Sequence, residues 1–500
     1  MKLNFIVVFK LLAMIVFLFV ILSCKKESNK ALKPNIIYIL ADDLGYGEIG
    51  SYGQTKIKTP NLDKLASQGM RFIQHYTGAP VCAPSRYMFL TGMHSGHAYI
   101  RGNYELGGFQ DDKEGGQMPI PKNTMTVAKV LKKAGYQSAM IGKWGLGMNN
   151  TTGSPLLQGF DYYYGYLDQK QAHNYYPTHL WENDIWDSLP NSYVMVHKKT
   201  NLVGISEKFD QFKGKSFAPD KMLEKALEFI DSTSTEKPFF LYYPSPIPHV
   251  SLQIPDSLLG QYLNKFQETP YYGDKGYASH ERPKSAYAAM ISHLDYQVGE
   301  IWEAIKSKGI EKNTIILFSS DNGPTFNGGV DTNYFKSTGG LRGLKMDLYE
   351  GGIRIPFIAY WKDKISLGTI SNLISGHWDM FNTFSELAGE NNRTEDGISL
   401  VPELLGNGQT KKHSFIYFEF PEKRGQIALR IGDWKGIKID IKTNPNASWE
   451  LYNLKEDPKE RNNLAEAYPG IISSIDSLQK KAHRHPHIRE WEFIDPKFKK

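Results

Sequence analysis

Cysteine is almost missing from this chain: 500 residues contain two, Cys24 and Cys82. Charge of one sign is missing too, since 59 basic and 53 acidic side chains leave a formal charge of +6 spread thinly along the sequence. That is too dilute for a nucleic-acid footprint. Beyond residue 24 there is no apolar run long enough to span a bilayer. A composition of 41% hydrophobic and 22% charged residues excludes a disordered chain, a collagen and a coiled coil. The Gly-rich basic segment Gly339–Lys345 lacks the glycine spacing and the Lys-Ser/Thr pair of a phosphate-binding loop. What remains is a length that suits one large α/β domain with a smaller one. Aromatics are plentiful at 13%, with 29 Tyr and 9 Trp.

The first 24 residues read as an export signal. Lys2 and Lys10 frame an apolar run, Leu11–Leu22, that ends at Ser23-Cys24. The pattern resembles a bacterial lipoprotein signal, in which cleavage before the cysteine is followed by attachment of lipid to its thiol. Residues 1–23 are then signal, 24–33 a polar tether, and the protein sits in the periplasm or on the outer membrane surface. Lipid on Cys24 leaves Cys82 without a partner, and an unpaired thiol in an exported protein calls for an explanation.

Helix and strand signals alternate along the chain. This favours a mostly parallel sheet covered on both faces. Asn35–Ala41, Gln137–Ile141, Phe239–Tyr243 and Thr314–Ser319 read as buried strands. Asn61–Arg71, Thr126–Ala134, and the apolar spacings Leu223–Ile230 and Ile291–Ile305 read as helices. Ligands of such sheets bind beyond the carboxyl ends of the strands. At two of those ends stand oxygen donors: Asp42-Asp43 and Asp321-Asn322. Either pair alone is an ordinary turn; jointly, at equivalent places and without His or Cys, they suit Ca²⁺, and less well Mg²⁺. The other two strands deliver Lys143, in Gly142-Lys143-Trp144-Gly145, and His249, at the end of a loop stiffened by Pro244, Pro246 and Pro248.

The segment Cys82-Ala83-Pro84-Ser85-Arg86, followed by Leu90-Thr91-Gly92, resembles the signature of the type I sulfatases. The resemblance covers nearly all of Pro34–Ala465, with the carboxylate pairs, Gly-Lys-Trp, the Pro-rich His loop and the Lys345/Glu350-Gly-Gly segment in family order. It implies an alkaline-phosphatase-like catalytic domain over 34–404 and a smaller C-terminal α+β subdomain over 405–500. It also implies that a maturation enzyme converts Cys82 to 3-oxoalanine (formylglycine). The hydrate of that aldehyde attacks sulfur, then expels sulfate by re-forming the aldehyde. By the same resemblance, Asp42, Asp43, Asp321, Asn322 and Cys82 surround the metal, and Arg86 supports the hydrate. Lys143 and Lys345 hold sulfate oxygens, while His249 faces the leaving oxygen as general acid. The expected substrate is a sulfated glycan.

One position departs from the family. Gly145 stands where a histidine is usual, and His94 or His97 are the substitutes to examine. Two rival classes share parts of the pattern: a phosphate mono- or diester hydrolase of the same superfamily, against which the cysteine motif argues, and a non-catalytic glycan-binding lipoprotein, which Gly145 favours.

The aromatic segment Phe160–Trp186 fits either a sugar face or packing beneath a long loop. Beyond residue 404, Phe415–Phe420, Ile427–Ile431 and Lys435–Ile439 read as short antiparallel strands, and Ile471–Lys481 as an amphipathic helix. The cluster His483/His485/His487 reads as solvated.

Overall fold

The computed structural model describes residues 33–199, 209–495 and 497–498. The signal at 1–23, Cys24 and nearly all of the tether at 24–33 lie outside the described residues. Among the described residues no helix is long and apolar enough to cross a membrane.

Along the chain the strands are β1 (Asn35–Ala41), β2 (Met70–Tyr76), the hairpin β3 (Phe109–Gln110) and β4 (Lys113–Glu114), β5 (Gln137–Lys143), β6 (Tyr162–Tyr166), β7 (His179–Glu182) and β8 (Ile185–Ser188). There follow β9 (Phe239–Pro244), β10 (Thr314–Ser320), β11 (Arg354–Trp361), β12 (Thr369–Ser371), β13 (Ser375–Gly376), β14 (Ile416–Phe420), β15 (Gln426–Ile431), β16 (Trp434–Lys438) and β17 (Glu450–Asn453). Eleven of them form one sheet in the order β12-β2-β11-β10-β1-β9-β5-β6-β7-β8, with β13 beside β2. The five neighbours β10-β1-β9-β5-β6 are all parallel, so their carboxyl ends share one edge.

The middle strands are buried on both faces, which is why β1 reads as an unbroken apolar run, NIIYILA. Ile37, Ile39 and Ala41 pack with the helices Pro60–Ser67, Ala218–Ser232 and Pro283–Ser307. Ile36, Tyr38 and Leu40 meet the helices Cys82–Thr91, Val127–Lys133 and Asp379–Leu387 on the other face. Thr126 caps its helix by accepting a hydrogen bond from Lys129 N. The expected helix Asn61–Arg71 is shorter than its periodicity implied. It ends at Ser67, and Met70 begins β2. Gly69 makes the break: a Cβ there would stand 2.2 Å from Ala359 O, so the backbone turns hard against β11.

Strands β14 to β17 form a separate antiparallel sheet. Leu429 and Leu451 on one face pack with Ile475 of the helix Pro469–Ala482. Ala428, Ile437 and Tyr452 on the other meet Tyr76, Ile353 and Trp378 of the large sheet's surroundings. A buried charge network crosses the same seam. Lys435 Nζ lies 2.9 Å from Glu350 Oε1 and 2.8 Å from Glu460 Oε1, while Glu350 Oε2 meets Arg354 Nε at 2.6 Å.

Removing one partner from such a network leaves an uncompensated charge in the interior. Lys435→Met keeps the apolar stem and deletes the cation, so it should cost about 3–5 kcal/mol, read as a lower denaturant midpoint. Adding Glu460→Gln should recover part of the loss. A midpoint unchanged by Lys435→Met would contradict the assignment of this network as the clamp between the two sheets.

Candidate active site

The shared strand edge is stitched together before any side chain is considered. Asp321 N donates to Ala41 O at 2.9 Å, joining the ends of β10 and β1, and Asp42 N donates to Ile247 O at 3.0 Å, joining β1 to the loop after β9. Asp43 adopts a left-handed backbone, with φ of 64°, a conformation unusual for any residue but glycine. It is held by its N–H bond to Asp321 Oδ1 at 3.0 Å. Asn322 Nδ2 donates to Asp43 Oδ1 at 2.7 Å. Two strands separated by more than 270 residues thus place three carboxylates and one amide around a single point.

Cys82 enters as the first residue of a helix whose ten residues are all buried. Its Sγ lies 3.3 Å from Asp42 Oδ1, 3.9 Å from Asp43 Oδ1 and 3.6 Å from Lys345 Nζ. Arg86, one helical turn on, reaches Asp321 Oδ2 through Nε and Nη2 at 3.0 and 2.8 Å, and donates to Lys143 O. Lys143 Nζ meets Asp42 Oδ2 at 2.6 Å, and Lys345 Nζ meets Asp43 Oδ2 at 2.8 Å. Lys345 comes from a loop that bonds back to the site through Lys345 N to Pro324 O and Met346 N to Pro80 O. His249 completes the group with Nε2 at 3.5 Å from Asp43 Oδ2. All nine residues expected from the sequence converge.

Burial, then the Asp42 charge, pushes the Cys82 thiol well up, so it stays protonated and is a poor nucleophile as a thiol. Burial works against the charge on Asp42, yet Lys143 above all holds its carboxyl far below the usual range. Burial and the neighbouring Asp42 push Asp321 up, against Arg86. Burial and then Lys345 lower His249 to about 3. Its Nδ1–H donates to Val250 O, which leaves Nε2 as the bare nitrogen facing the site.

The donor set fits a hard divalent cation. Asp42, Asp43, Asp321 and Asn322 offer only oxygens, and Asn322 Oδ1 is buried without a hydrogen-bond partner. Asp42, Asp43, Cys82 and His249 bring ligand atoms within 4.8 Å of one another. The soft thiol is the member most out of keeping with the carboxylates; with oxygens in its place, the His249 ring would be the one non-oxygen donor of the four. The three carboxylates balance Arg86, Lys143 and Lys345, so a dication leaves two positive charges for an anion.

Several features were not visible in the sequence. Gly145 has φ of +74°, and a Cβ there would stand 2.5 Å from Gln169 Cγ. The space that a histidine would take is therefore filled by Gln169, whose Nε2 lies 3.4 Å from Asn103 Oδ1. That same oxygen accepts from Ala83 N beside Cys82. His94 and His97 do not reach this place: both pair with Asp396. Tyr175 OH bonds the carbonyls of Pro246 and His249 at 2.6 and 2.7 Å, so the His loop is pinned from below as well as stiffened by prolines. His173 stacks on the His249 ring at 4.1 Å. Of the aromatic segment, Phe160, Tyr163, Tyr164, Tyr166, Tyr175 and Tyr176 are core, and Trp186 is exposed.

Residues 34–390 match the sulfatase family model. The chain belongs to the sulfatase family. This sulfatase is accordingly a sulfuric ester hydrolase, and residues 344–485 match the C-terminal model of N-sulphoglucosamine sulphohydrolase. It is 31% identical to human arylsulfatase A over 490 residues, covering 90% of this chain and 87% of that protein. It is 29% identical to an N-acetylgalactosamine-6-O-sulfatase of Bacteroides thetaiotaomicron over 516 residues, covering 91% and 94%. Among solved structures, Ps i-CgsB in complex with k-i-k-neocarrahexaose superposes with a TM-score of 0.72 at 25% identity, covering 93% of this chain and 96% of that one. The fold is that of the alkaline-phosphatase-like sulfatases.

Placing at 145 the histidine that the resemblance leads one to expect should fail on its own. Gly145→His meets Gln169 and a left-handed backbone, and overpacking of this kind costs about 1–3 kcal/mol. Gln169→Ser in the same chain should return part of that loss in the denaturant midpoint and in turnover. Gly145→His protein as stable and active as the parent would show that Gln169 does not fill the gap.

Proposed function

We propose that this sulfatase hydrolyses sulfate esters on sulfated polysaccharide or oligosaccharide, using formylglycine made from Cys82 together with bound Ca²⁺. One observation carries the reading: the Cys82 side chain stands at the meeting point of three carboxylates and three cations, where a buried, protonated thiol has no chemistry to offer. The glycan class is supported by the N-acetylgalactosamine-6-O-sulfatase from Bacteroides thetaiotaomicron and by the k-i-k-neocarrahexaose in the complex of Ps i-CgsB.

Asp42, Asp43, Asp321 and Asn322 would hold the ion, and crowded protein oxygens suit Ca²⁺ better than Mg²⁺, which keeps several waters. When present, the ion supplies Lewis-acid polarisation and the hydrated aldehyde an oxygen nucleophile. Lys143 and Lys345 bind sulfate oxygens, and Arg86 holds the Asp321 carboxylate and the Lys143 carbonyl in register. His249 has its Nδ1–H committed to Val250, so the proton for the leaving alcohol is carried at Nε2. An incoming sulfate, being anionic, favours that protonation.

Cys82 is 2% exposed, so a maturation enzyme meets it before the fold closes. From Lys2, Lys10, the apolar run Leu11–Leu22 and Ser23-Cys24 we also propose an exported lipoprotein, anchored through lipid on Cys24 in the periplasm or on the outer membrane surface of a bacterium.

Two measurements test the proposal together. The Cys82 peptide from active protein should weigh less than its sequence mass, as thiol gives way to aldehyde, and Cys82→Ala should be inactive. Asp321→Ala should lose both bound calcium and turnover. Active protein with an unmodified Cys82 peptide, or full turnover by metal-free Asp321→Ala protein, would refute it.

A further inference from the structure

Of the histidines near the C-terminus, His485 and His487 are exposed as their sequence implied, but His483 is not. His483 is largely buried, with Nδ1 at 2.8 Å from Glu419 Oε2 and Nε2 at 3.0 Å from Glu492 Oε2. His485 Nδ1 approaches the same Glu492 oxygen at 2.9 Å. We propose that His483 Nε2, His485 Nδ1 and Glu492 Oε2 form a site for one zinc-class dication, separate from the oxygen-rich cluster at Cys82.

The three donor atoms lie within 4.8 Å of one another. Around a tetrahedral zinc with bonds of about 2.0–2.2 Å, donors are roughly 3.3–3.6 Å apart. The two contacts with Glu492 therefore need to open by only a few tenths of an ångström. Two imidazoles and one carboxylate, with a fourth place left to water, is a common zinc ligand set. His485 is 46% exposed, which gives the ion an entry and the water its place.

The surroundings orient the donors. Glu419 receives the Nδ1–H of His483 and is itself held by Arg101 and by Tyr417 OH. That fixes the tautomer with Nε2 as the donor, the arrangement in which a carboxylate backs a metal-bound histidine. Glu492 Oε1 accepts the backbone N–H groups of Ile494 and Asp495 at 2.8 and 2.9 Å, which aims Oε2 at the two rings. Without metal, protons occupy the centre: burial opposes the charge on His483, but the two glutamates raise it to about 9.

The other histidine cluster fails the same test. His94 Nδ1 accepts from Gly96 N, so its proton sits on Nε2, the nitrogen that faces Asp396. Neither nitrogen of His94 is then free for a metal.

A dication there would hold residues 483–492 in one turn, and that turn is already tied to the loop after the Cys82 helix by Arg484 N to Gly96 O and Arg101 Nη1 to Arg484 O.

The test is a zinc titration of the full chain saturated with calcium, followed by calorimetry in two buffers of different ionisation enthalpy. One equivalent should bind with release of protons. His483→Ala, His485→Ala and Glu492→Gln should abolish or strongly weaken binding, Glu419→Gln should weaken it by roughly 10–100-fold, and His94→Ala should leave it unchanged. Cobalt in place of zinc should give the visible absorption of a tetrahedral ion in the parent protein, a readout that holds even where a variant does not fold. No zinc binding by the parent, binding that survives the three ligand variants, or cobalt without tetrahedral bands would each overturn the proposal.

Discussion

Six formal charges are buried around one sulfur atom, and the catalytic edge is arranged to make that tolerable. Each cation has its own carboxylate: Lys143 with Asp42, Lys345 with Asp43, Arg86 with Asp321. A buried charge left alone costs several kcal/mol, so removing any member exposes another. The pairing also sets the logic of the site. Without a dication the cations are neutralised by the protein's own carboxylates; with the proposed one, the carboxylates would turn to the metal and release the cations to hold an anion.

The fold serves this constraint at two levels. Parallel strands β10, β1, β9 and β5 bring carboxylates, lysine and the histidine loop to one edge. Of the other two cations, Arg86 is placed by the Cys82 helix, while Lys345 has neither strand nor helix and depends on a loop. That loop is anchored five residues later, where Glu350 enters the network with Lys435 and Glu460 across the seam to the C-terminal sheet. The small sheet thereby supports the position of an active-site lysine that it does not touch. The zinc-class cluster at His483 would stiffen the end of the same C-terminal portion.

What could be read from the sequence had local causes. The strands β1, β9 and β10 are runs rich in β-branched and aromatic residues buried on both faces, and β5 follows a helix closed by Gly135, so all four are legible nearly to the residue. Asp42, Asp43, Asp321, Asn322, Lys143 and His249 follow those strands, so their shared edge was visible as well. The rest required the third dimension. The strand β2 was hidden because its start continues the helical periodicity of Leu62 and Leu65, and only the close approach of Gly69 to β11 ends it. Gln169 could not be paired with Gly145, because they meet through a gap that no spacing records. Tyr163, Tyr164 and Tyr166 are core because β6 is an inner strand flanked by β5 and β7, and Tyr175 and Tyr176 because they pack on Phe217, neighbours that composition cannot show.

The most direct test of this account is the affinity of inorganic sulfate for the site with and without calcium, measured by calorimetry on the same protein. If the dication frees the three cations, sulfate should bind more tightly to the calcium-loaded form by roughly 5–150-fold, and sulfate should tighten calcium by the same factor. Equal affinity of sulfate for the two forms would contradict the claim that metal and anion are coupled through these six charges.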